Sequence, residues 1–173
     1  MTQAQSGVAA AADTLLLRKP HLADGQAVHA LVRRCPPLDL NSSYSYFLLC
    51  SHHADTCVVA EQAGALVGFL SAYRLPQAPH TLFVWQVAVD AGMRGQGVAG
   101  RMLEALLTRP SCTGVQFIET TVSPSNLASR RVFARFAAQR RAAWQEAVFL
   151  ARGHFGGEAH EEEILLRIGP LTD

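Results

Sequence analysis

The spacing of apolar residues along the chain predicts four helices. The first begins after Asp24, a residue that can cap it, and Pro36-Pro37 ends it. A loop with polar residues that starts at Leu38 leads into a second helix, which runs through an aromatic stretch to Cys50. The apolar residues at helical spacing are Ala27, Val28, Leu31 and Val32 in the first helix, Val98, Met102, Leu103 and Leu106 in the third, and Val132, Phe133, Phe136 and Ala137 in the fourth.

Shorter apolar runs bounded by turn residues predict strands. Residues 57–60 and 66–70 flank Gln62-Ala63-Gly64, a sequence that favours a turn, and together they predict a β-hairpin. The other predicted strands are 14–18, 82–90, 115–121, 143–150 and 163–168. Because hairpins come first and helices alternate with strands only later, we expect a mixed α/β sheet rather than a wholly parallel one.

The length and composition fit one globular domain. The chain has 173 residues, of which 49% are hydrophobic and 17% are charged, so it can bury a core without disulfides or metals. Residues 1–13 are rich in Ala and Gln and lack the pattern of a secretory signal. We therefore expect a disordered tail at 1–13 and a single domain over 14–173. No apolar run reaches the length of about 18 residues that spans a bilayer.

Net charge and cysteine spacing narrow the classes of partner. The formal net charge is +1, which gives no reason to expect nucleic acid or an anionic membrane as a partner. Cys35, Cys50, Cys57 and Cys112 show neither close pairing nor the paired spacing of a zinc site. The 7 histidines match no metal-ligand spacing either, which favours surface or supporting roles. We expect reduced, mostly buried thiols in a cytoplasmic protein, and no bound metal.

A glycine-rich loop follows the strand at 82–90 and precedes the third helix. It reads Asp90-Ala91-Gly92-Met93-Arg94-Gly95-Gln96-Gly97-Val98-Ala99-Gly100. Glycines let a phosphate approach the backbone, and the free N–H groups of a helix's first turn, aligned with its dipole, attract anions. The sequence therefore predicts a pyrophosphate cradle at this loop, although a plain turn before a core helix would have the same pattern.

The same glycines also match a dinucleotide-binding fingerprint. Gly95, Gly97 and Gly100 have the required spacing, and Glu119 lies about 20 residues further on, where an acid that binds ribose is expected. In a dinucleotide fold, however, the strand runs straight into the first glycine and belongs to a parallel sheet. Here several residues separate Asp90 from Gly95 and the strand follows a hairpin, which disfavours this alternative.

A second pattern in the loop points to a family. Arg94, Gly97 and Ala99 match Arg or Gln, two residues, Gly, one residue, then Gly or Ala. This pattern resembles the pyrophosphate loop of the GCN5-related N-acetyltransferase superfamily, and residues 85–90 resemble its fourth strand, where a bulge opens the sheet. The resemblance implies an α/β fold with a central, mostly antiparallel sheet that is splayed after strand four and flanked by helices. It also implies acetyl-CoA as co-substrate.

The resemblance further implies a set of cofactor-binding residues. That superfamily places an asparagine after strand five in contact with the cofactor, and Asn126 matches it, although with Ser125 it could simply cap the helix. The implied cofactor-binding residues are Val87, Val89, Arg94, Gly95, Gln96, Gly97, Val98, Ala99, Asn126 and Ser129.

Acetyl transfer to an amine sets three chemical requirements. An alkyl ammonium with a pKa of about 10 must lose a proton, the oxyanion of the tetrahedral intermediate needs N–H donors, and the departing CoA thiolate takes up a proton. The backbone at 86–89 could supply the N–H donors. Many relatives place a tyrosine on the helix after strand five to protonate the thiolate. Phe133 stands at the matching place, so we assign no general acid.

Three further segments, residues 39–44, 85–89 and 160–163, resemble the L-2,4-diaminobutyrate acetyltransferases of ectoine biosynthesis. Diaminobutyrate carries two ammonium groups and one carboxylate, so its pocket should offer acids, aromatic faces, and N–H or hydroxyl donors. The resemblance implies acetylation of the 4-amino group, with Asp39 and Glu162 as the candidate catalytic residues. The implied substrate-binding residues are Asp39, Asn41, Ser42, Ser43, Tyr44 and Trp85.

Several alternatives stay open at this level. The acceptor of the amine proton could be Glu162, Asp39 or a water chain. Asp39 or Asn41 could only cap the helix, Trp85 could lie in the core, and the acidic run at 161–163 could be a solvated face. A related enzyme for a polyamine or an aminoglycoside, or a non-catalytic acyl-CoA-binding regulatory domain, would share the cradle. The superfamily is often dimeric, so we expect a homodimer.

Overall fold

The predicted strands form one sheet in the computed structural model, which describes residues 14–156 and 160–171. They are β1 (Leu16–Arg18), β2 (Cys57–Gln62), β3 (Ala65–Leu75), β4 (Ala78–Val89), β5 (Phe117–Val122), β6 (Trp144–Leu150) and β7 (Glu163–Ile168). Their order across the 7-stranded sheet is β1-β2-β3-β4-β5-β7-β6. β4 and β5 are parallel, and the other neighbours are antiparallel. The predicted mixed, mostly antiparallel sheet is confirmed. The predicted tail at 1–13 lies outside the described residues.

Helices cover both faces of this sheet. In the described ranges the α-helices are α1 (Gly25–Arg33), α2 (Ser43–Ser51), α3 (Val98–Leu107) and α4 (Leu127–Arg140). The core between α3, α4 and the sheet includes Met102 and Phe136, whereas α1 and α2 bury Leu31 and Tyr46 against the opposite face. Because side chains alternate along a strand, β3 contributes Leu70 to the first core and Phe69 to the second. None of these helices has both the length and the apolar character needed to cross a bilayer.

The hairpin between β2 and β3 turns where the sequence predicted it. Ala63 and Gly64 both have positive φ, 49° and 76°, which is the conformation of a two-residue turn whose twist matches the flanking strands. Downstream of this turn, β3 pairs with β4 along most of its length.

The sheet opens between β4 and β5, as predicted for this fold. The parallel pairing covers only three positions and ends at Phe83 opposite Glu119. On its other edge β5 pairs with β7 from Ile118 to Val122. The register of β4 against β3 shifts between Gln86 and Val84, so Trp85 is the extra residue of a β-bulge. The β4 edge from residue 84 onward therefore lies free of β5, next to the loop that leads into α3.

Some local expectations were wrong in detail. Ala27 is exposed rather than part of the buried face of α1, and Val132 is only half-buried. Asp24 precedes α1 but makes no side-chain cap. Instead its carboxylate accepts hydrogen bonds from both terminal nitrogens of Arg18 and from the backbone N–H of His21. β4 begins at Ala78, earlier than predicted, because it pairs with the far end of β3.

Candidate active site

A cavity of about 930 Å³ lies between β4, α3, α4 and the segment that follows α1. The described residues contain no group of His, Cys, Asp and Glu side chains that could hold a metal ion. Every residue that the sequence predicted to bind the cofactor lines this cavity: Val87, Val89, Arg94, Gly95, Gln96, Gly97, Val98, Ala99, Asn126 and Ser129. Residues 35–38 form part of the wall as well, which the sequence did not predict.

The loop at 93–97 lines this cavity and leaves some of its backbone N–H groups without a partner in the described part of the chain. Gly95 and Gly97 have φ of 77° and 75°, a region that costs other residues strain, and Gly97 directly precedes α3. The N–H groups of Gly95, Gln96 and Gly97 donate to none of the residues that the structure describes. The first N–H groups of α3 also lack partners within the helix, and its dipole adds positive potential. This arrangement is suited to a diphosphate.

Side chains of the loop brace its own backbone. Gln96 Nε2 donates to the carbonyl oxygen of Gly92 over 3.0 Å, and Arg94 Nε donates to that of Val89 over 3.3 Å. Asp90 Oδ1 accepts from the N–H of Gly92 over 3.1 Å. That bond, together with the nearby Arg34, lowers the pKa of the Asp90 carboxyl. The loop therefore presents backbone donors in a shape that its side chains hold.

The cavity has a positively charged rim. Arg101, Arg131 and Arg135 line it along α3 and α4, in addition to Arg94. Among the described lining residues Glu104 is the one acid, and Arg140 binds its carboxylate through two nitrogens. The unneutralised guanidinium groups favour a ligand with several phosphates.

Asn126 caps α4 and also lines the cavity. Its Oδ1 accepts a hydrogen bond from the N–H of Ser129 over 3.1 Å, which caps α4. Asn126 and Ser129 also line the cavity, and Asn126 Nδ2 has no partner among the described residues. The amide group can therefore cap the helix through oxygen and donate to a ligand through nitrogen.

Phe133 occupies the wall of the cavity without offering a proton. It is 2% exposed, lies in the core and lines the cavity from α4. On the opposite side the thiol of Cys35, also 2% exposed, donates to the carbonyl oxygen of Val89 over 3.4 Å. Because residue 133 is a phenylalanine, it presents no phenol hydroxyl to the cavity that could act as a general acid.

The predicted substrate residues lie beside the cavity rather than in its wall. The segment at 38–42 is called the substrate loop because the sequence predicts substrate-binding residues in it. It leaves the cavity wall at Leu38 and reaches α2, where Ser42 accepts from the N–H of Ser45 and caps the helix. The Asp39 side chain is 87% exposed. Asn41 is half-buried, Ser43, Tyr44 and Trp85 are exposed, and none of these residues lines the cavity.

The acidic segment at 160–163 connects two parts of this region. Glu163 accepts from Ser123 Oγ over 2.9 Å, and Glu161 accepts from the N–H of Ser125 over 3.1 Å. Hydrogen bonds from Ser125 also lower the pKa of Glu161. Glu162, between these two, is half-buried and its carboxylate has no partner among the residues of the described ranges. The segment is therefore not a plain solvated face. Glu162 is its one acid without a partner in the described ranges, and it does not line the cavity.

Sequence reasoning missed several residues of this region. His160 Nε2 lies 4.0 Å from Asp39 Oδ2, and its ring stacks on Phe155 with centroids 4.0 Å apart. Gln86 is 6% exposed and Tyr46 is fully buried, yet both make polar contacts to the substrate loop. Gln86 is the one polar residue in the apolar stretch 82–89, and this could have indicated a buried polar contact. His160 belongs to the segment at 160–163 that the sequence singled out, but no contact was predicted for it.

Comparison with known proteins agrees with this geometry. The model of the acetyltransferase (GNAT) family matches residues 25–138. The chain belongs to the acetyltransferase (GNAT) family. This acetyltransferase is 55% identical over 157 residues to the L-2,4-diaminobutyric acid acetyltransferase of Bordetella parapertussis, covering 90% of this chain and 84% of that protein. It is 45% identical to the enzyme of the same name from Chromohalobacter salexigens, covering 97% and 88%.

A solved structure is similar to this acetyltransferase over nearly its whole length. It is the diaminobutyrate acetyltransferase EctA from Paenibacillus lautus in complex with its substrate L-2,4-diaminobutyric acid and coenzyme A. The two chains share 46% identity at a TM-score of 0.90, covering 93% of this chain and 98% of that one. The prediction of an acyltransferase is confirmed. Glu119, the acid of the dinucleotide alternative, is instead paired with Arg167 across β5 and β7.

Proposed function

We propose that this acetyltransferase transfers the acetyl group of acetyl-CoA to the 4-amino group of L-2,4-diaminobutyrate. The products are N4-acetyl-L-2,4-diaminobutyrate, the precursor of the osmolyte ectoine, and CoA. The observation that carries the proposal is the resemblance to enzymes for this amine over nearly the whole chain. The cavity at the splayed sheet supports it, because its donors suit a diphosphate and its free strand edge adjoins the substrate loop.

The cavity would bind acetyl-CoA in an extended conformation. The diphosphate lies on the N–H groups at 95–99, and the pantetheine arm follows the free edge of β4 past Val89 and Val87. Asn126 donates to the arm from the opposite wall. This placement brings the thioester to the bulge at Trp85, where backbone N–H groups of β4 stabilise the oxyanion.

The substrate loop would hold the amine beside the thioester. Asp39 and Glu162 attract the two ammonium groups, and Tyr44 and Trp85 present aromatic faces to them. Asn41, Ser42 and Ser43 lie around the start of α2, whose free N–H groups favour the substrate carboxylate. An amine with one carboxylate and two ammonium groups matches this set of charges better than a polyamine, which has no carboxylate.

The reaction needs one proton acceptor for the amine. The 4-ammonium group gives its proton to Glu162, or to Asp39 through His160, and the neutral nitrogen attacks the thioester carbon. The C–N bond forms and the C–S bond breaks, and the second proton that the nitrogen loses passes through water to the departing thiolate, which leaves as the CoA thiol. Glu162 is the better acceptor, because its carboxylate is half-buried and unpaired within the described ranges.

Product analysis tests the proposed reaction directly. The purified enzyme is incubated with acetyl-CoA and a panel of amines containing diaminobutyrate, a polyamine and an aminoglycoside, and thiol release is followed. We expect turnover with diaminobutyrate and NMR signals of an acetyl group on its 4-nitrogen. Acetylation of the 2-nitrogen, or turnover confined to another amine, would show that the proposed substrate chemistry is wrong.

Asp39 offers a variant that separates the two substrates. We expect Asp39→Ala to raise KM for diaminobutyrate by about tenfold, the value of one lost charge-assisted contact, with KM for acetyl-CoA unchanged. Asp55→Ala provides a matched control, because it removes an exposed carboxylate elsewhere on the surface, where Asp55 pairs with Lys19. Equal increases in both KM values for Asp39→Ala would count against direct contact with the amine.

We further propose that the enzyme is a cytoplasmic homodimer. Four free, buried cysteines are consistent with a reducing compartment. β6 is an edge strand of the sheet, and Val148 and Phe149 on it are 59% and 54% exposed. Exposed apolar edges tend to pair with another chain. Light scattering of the wild type and of Phe149→Lys tests this, since a monomeric wild type would refute it.

A further inference from the structure

The substrate loop is fixed to the sheet by a chain of three hydrogen bonds. The N–H of Asn41 donates to Tyr46 Oη over 3.3 Å. Tyr46 Oη in turn donates to Gln86 Oε1 over 3.3 Å, and Gln86 Nε2 donates to the carbonyl oxygen of Asp39 over 2.7 Å. The chain therefore begins and ends on the backbone of the substrate loop, two residues apart.

The two side chains that make these hydrogen bonds, Tyr46 and Gln86, are both buried. Tyr46 is 0% exposed and packs between His29 and Phe69, with ring centroids 5.7 Å and 6.3 Å away. Gln86 is 6% exposed and lies next to the bulge residue Trp85. Buried polar groups are costly unless their hydrogen bonds are made, so each of the two side chains needs the loop in this position.

The placement couples the two halves of the active site. Gln86 belongs to β4, the strand whose free edge lies beside the cavity, whereas Asp39 and Asn41 belong to the loop predicted to hold the amine. A rigid connection between β4 and the substrate loop fixes the distance between the proposed amine site and the strand beside which the thioester is proposed to lie. Small errors in such a distance reduce catalysis strongly.

We infer that Gln86 and Tyr46 are positioning residues for the amine substrate, forming a clamp that holds the backbone of Asp39 and Asn41 against the bulge of β4. The inference rests on the proposed function for the identity of the amine. Neither side chain is assigned to contact the acetyl-CoA cavity, which neither of them lines. The clamp should therefore affect the amine and leave acetyl-CoA binding intact.

The test compares Gln86→Met and Tyr46→Phe with the wild-type enzyme. Each variant keeps the approximate shape of its side chain and removes its hydrogen bonds. We expect each to raise KM for diaminobutyrate about tenfold, with KM for acetyl-CoA unchanged. The double variant should be little worse than the more severe single variant, because either substitution already breaks the chain.

Ser71→Ala supplies the matched control. Ser71 pairs with Gln86 across β3 and β4, is fully buried, and its hydroxyl has no hydrogen-bond partner within the described ranges. Ser71→Ala changes a buried polar group beside Gln86 without removing any hydrogen bond of the clamp, so its KM for diaminobutyrate should equal that of the wild type. An unchanged KM for diaminobutyrate in both clamp variants, or equal increases for both substrates, would overturn the inference.

Hydrogen exchange provides a readout that needs no substrate. In the free full-length enzyme, the amide of Asn41 should exchange faster in both clamp variants, while amides of α3 keep their protection. Unchanged exchange at Asn41 would refute the clamp. If the wild type acetylates another amine instead of diaminobutyrate, the proposed substrate is wrong, and the same comparison with that amine still tests the clamp.

Discussion

Two glycines of this acetyltransferase permit a controlled test of the diphosphate cradle. Gly97 has φ of +75° and Gly64 has φ of +76°, and a Cβ on either would meet no atom within 4 Å. Gly97 lines the cavity, whereas Gly64 lies in the turn between β2 and β3. Alanine therefore introduces the same backbone strain at both sites, and only at position 97 does its methyl group enter the place assigned to the diphosphate.

The magnitudes follow from this geometry. A non-glycine residue in the left-handed region costs about 1–2 kcal/mol, so each variant should lose that much free energy of unfolding. For a domain of this size the melting temperature then falls by about 2–8 °C. At position 97 the loss of one charge-assisted hydrogen bond to phosphate costs a further ~1.5–3 kcal/mol of binding free energy, which raises the Kd for CoA about ten- to hundredfold.

Two assays separate these effects. Thermal unfolding without ligand should give similar losses for Gly97→Ala and Gly64→Ala. Calorimetric titration with CoA should give the wild-type Kd for Gly64→Ala and a much weaker one for Gly97→Ala. Equal affinity of the two variants for CoA would refute the assignment of the cradle, because the methyl group at position 97 would then have no effect on CoA binding.

Other substitutions test the surroundings of the site. Phe133→Leu should cost about 1 kcal/mol of stability but keep most of kcat, because the ring donates no proton; loss of kcat in a folded variant, measured by thiol release, would contradict this. Ser71→Ala should raise the free energy of unfolding by about 1 kcal/mol in urea titrations, since it removes an unpaired buried hydroxyl, and a loss of stability would show that the hydroxyl is satisfied. Burial raises the pKa of Asp24, but hydrogen bonds from Arg18 and His21 outweigh this effect, so the net pKa of the carboxyl is lowered. The ionised carboxylate therefore stabilises the folded state above about pH 4. This stabilisation is lost as the pH falls through the native pKa. Asp24→Asn should therefore lose about 2 kcal/mol at pH 7 and differ little from the wild type in strong acid; a gap independent of pH would contradict the ion pair.

The conformation of the glycine loop and most of the elements could be predicted from the sequence because their causes are local. A glycine at positive φ, a helix dipole and an apolar face each depend on a few neighbouring residues, as at Gly97 and along α3. The turn at Ala63-Gly64 is local in the same sense. For these features the pattern and the structure agree closely.

The amine side could not be predicted to the same depth because its contacts join distant segments. Gln86 and Asp39 are separated by 47 positions. The substrate loop lies near the acidic segment, through Asp39 and His160, only in the folded sheet. Asp24 illustrates the same limit on a smaller scale, since its carboxylate binds Arg18 instead of capping α1. Only the fold places such side chains side by side.

A crystal structure of the enzyme with CoA and diaminobutyrate would show where both substrates bind. We expect diphosphate oxygens within about 3.2 Å of backbone nitrogens at 95–99, and the 4-amino group facing the sulfur across the bulge at Trp85. A diphosphate bound away from this loop, or an amine bound away from the substrate loop, would contradict this expectation.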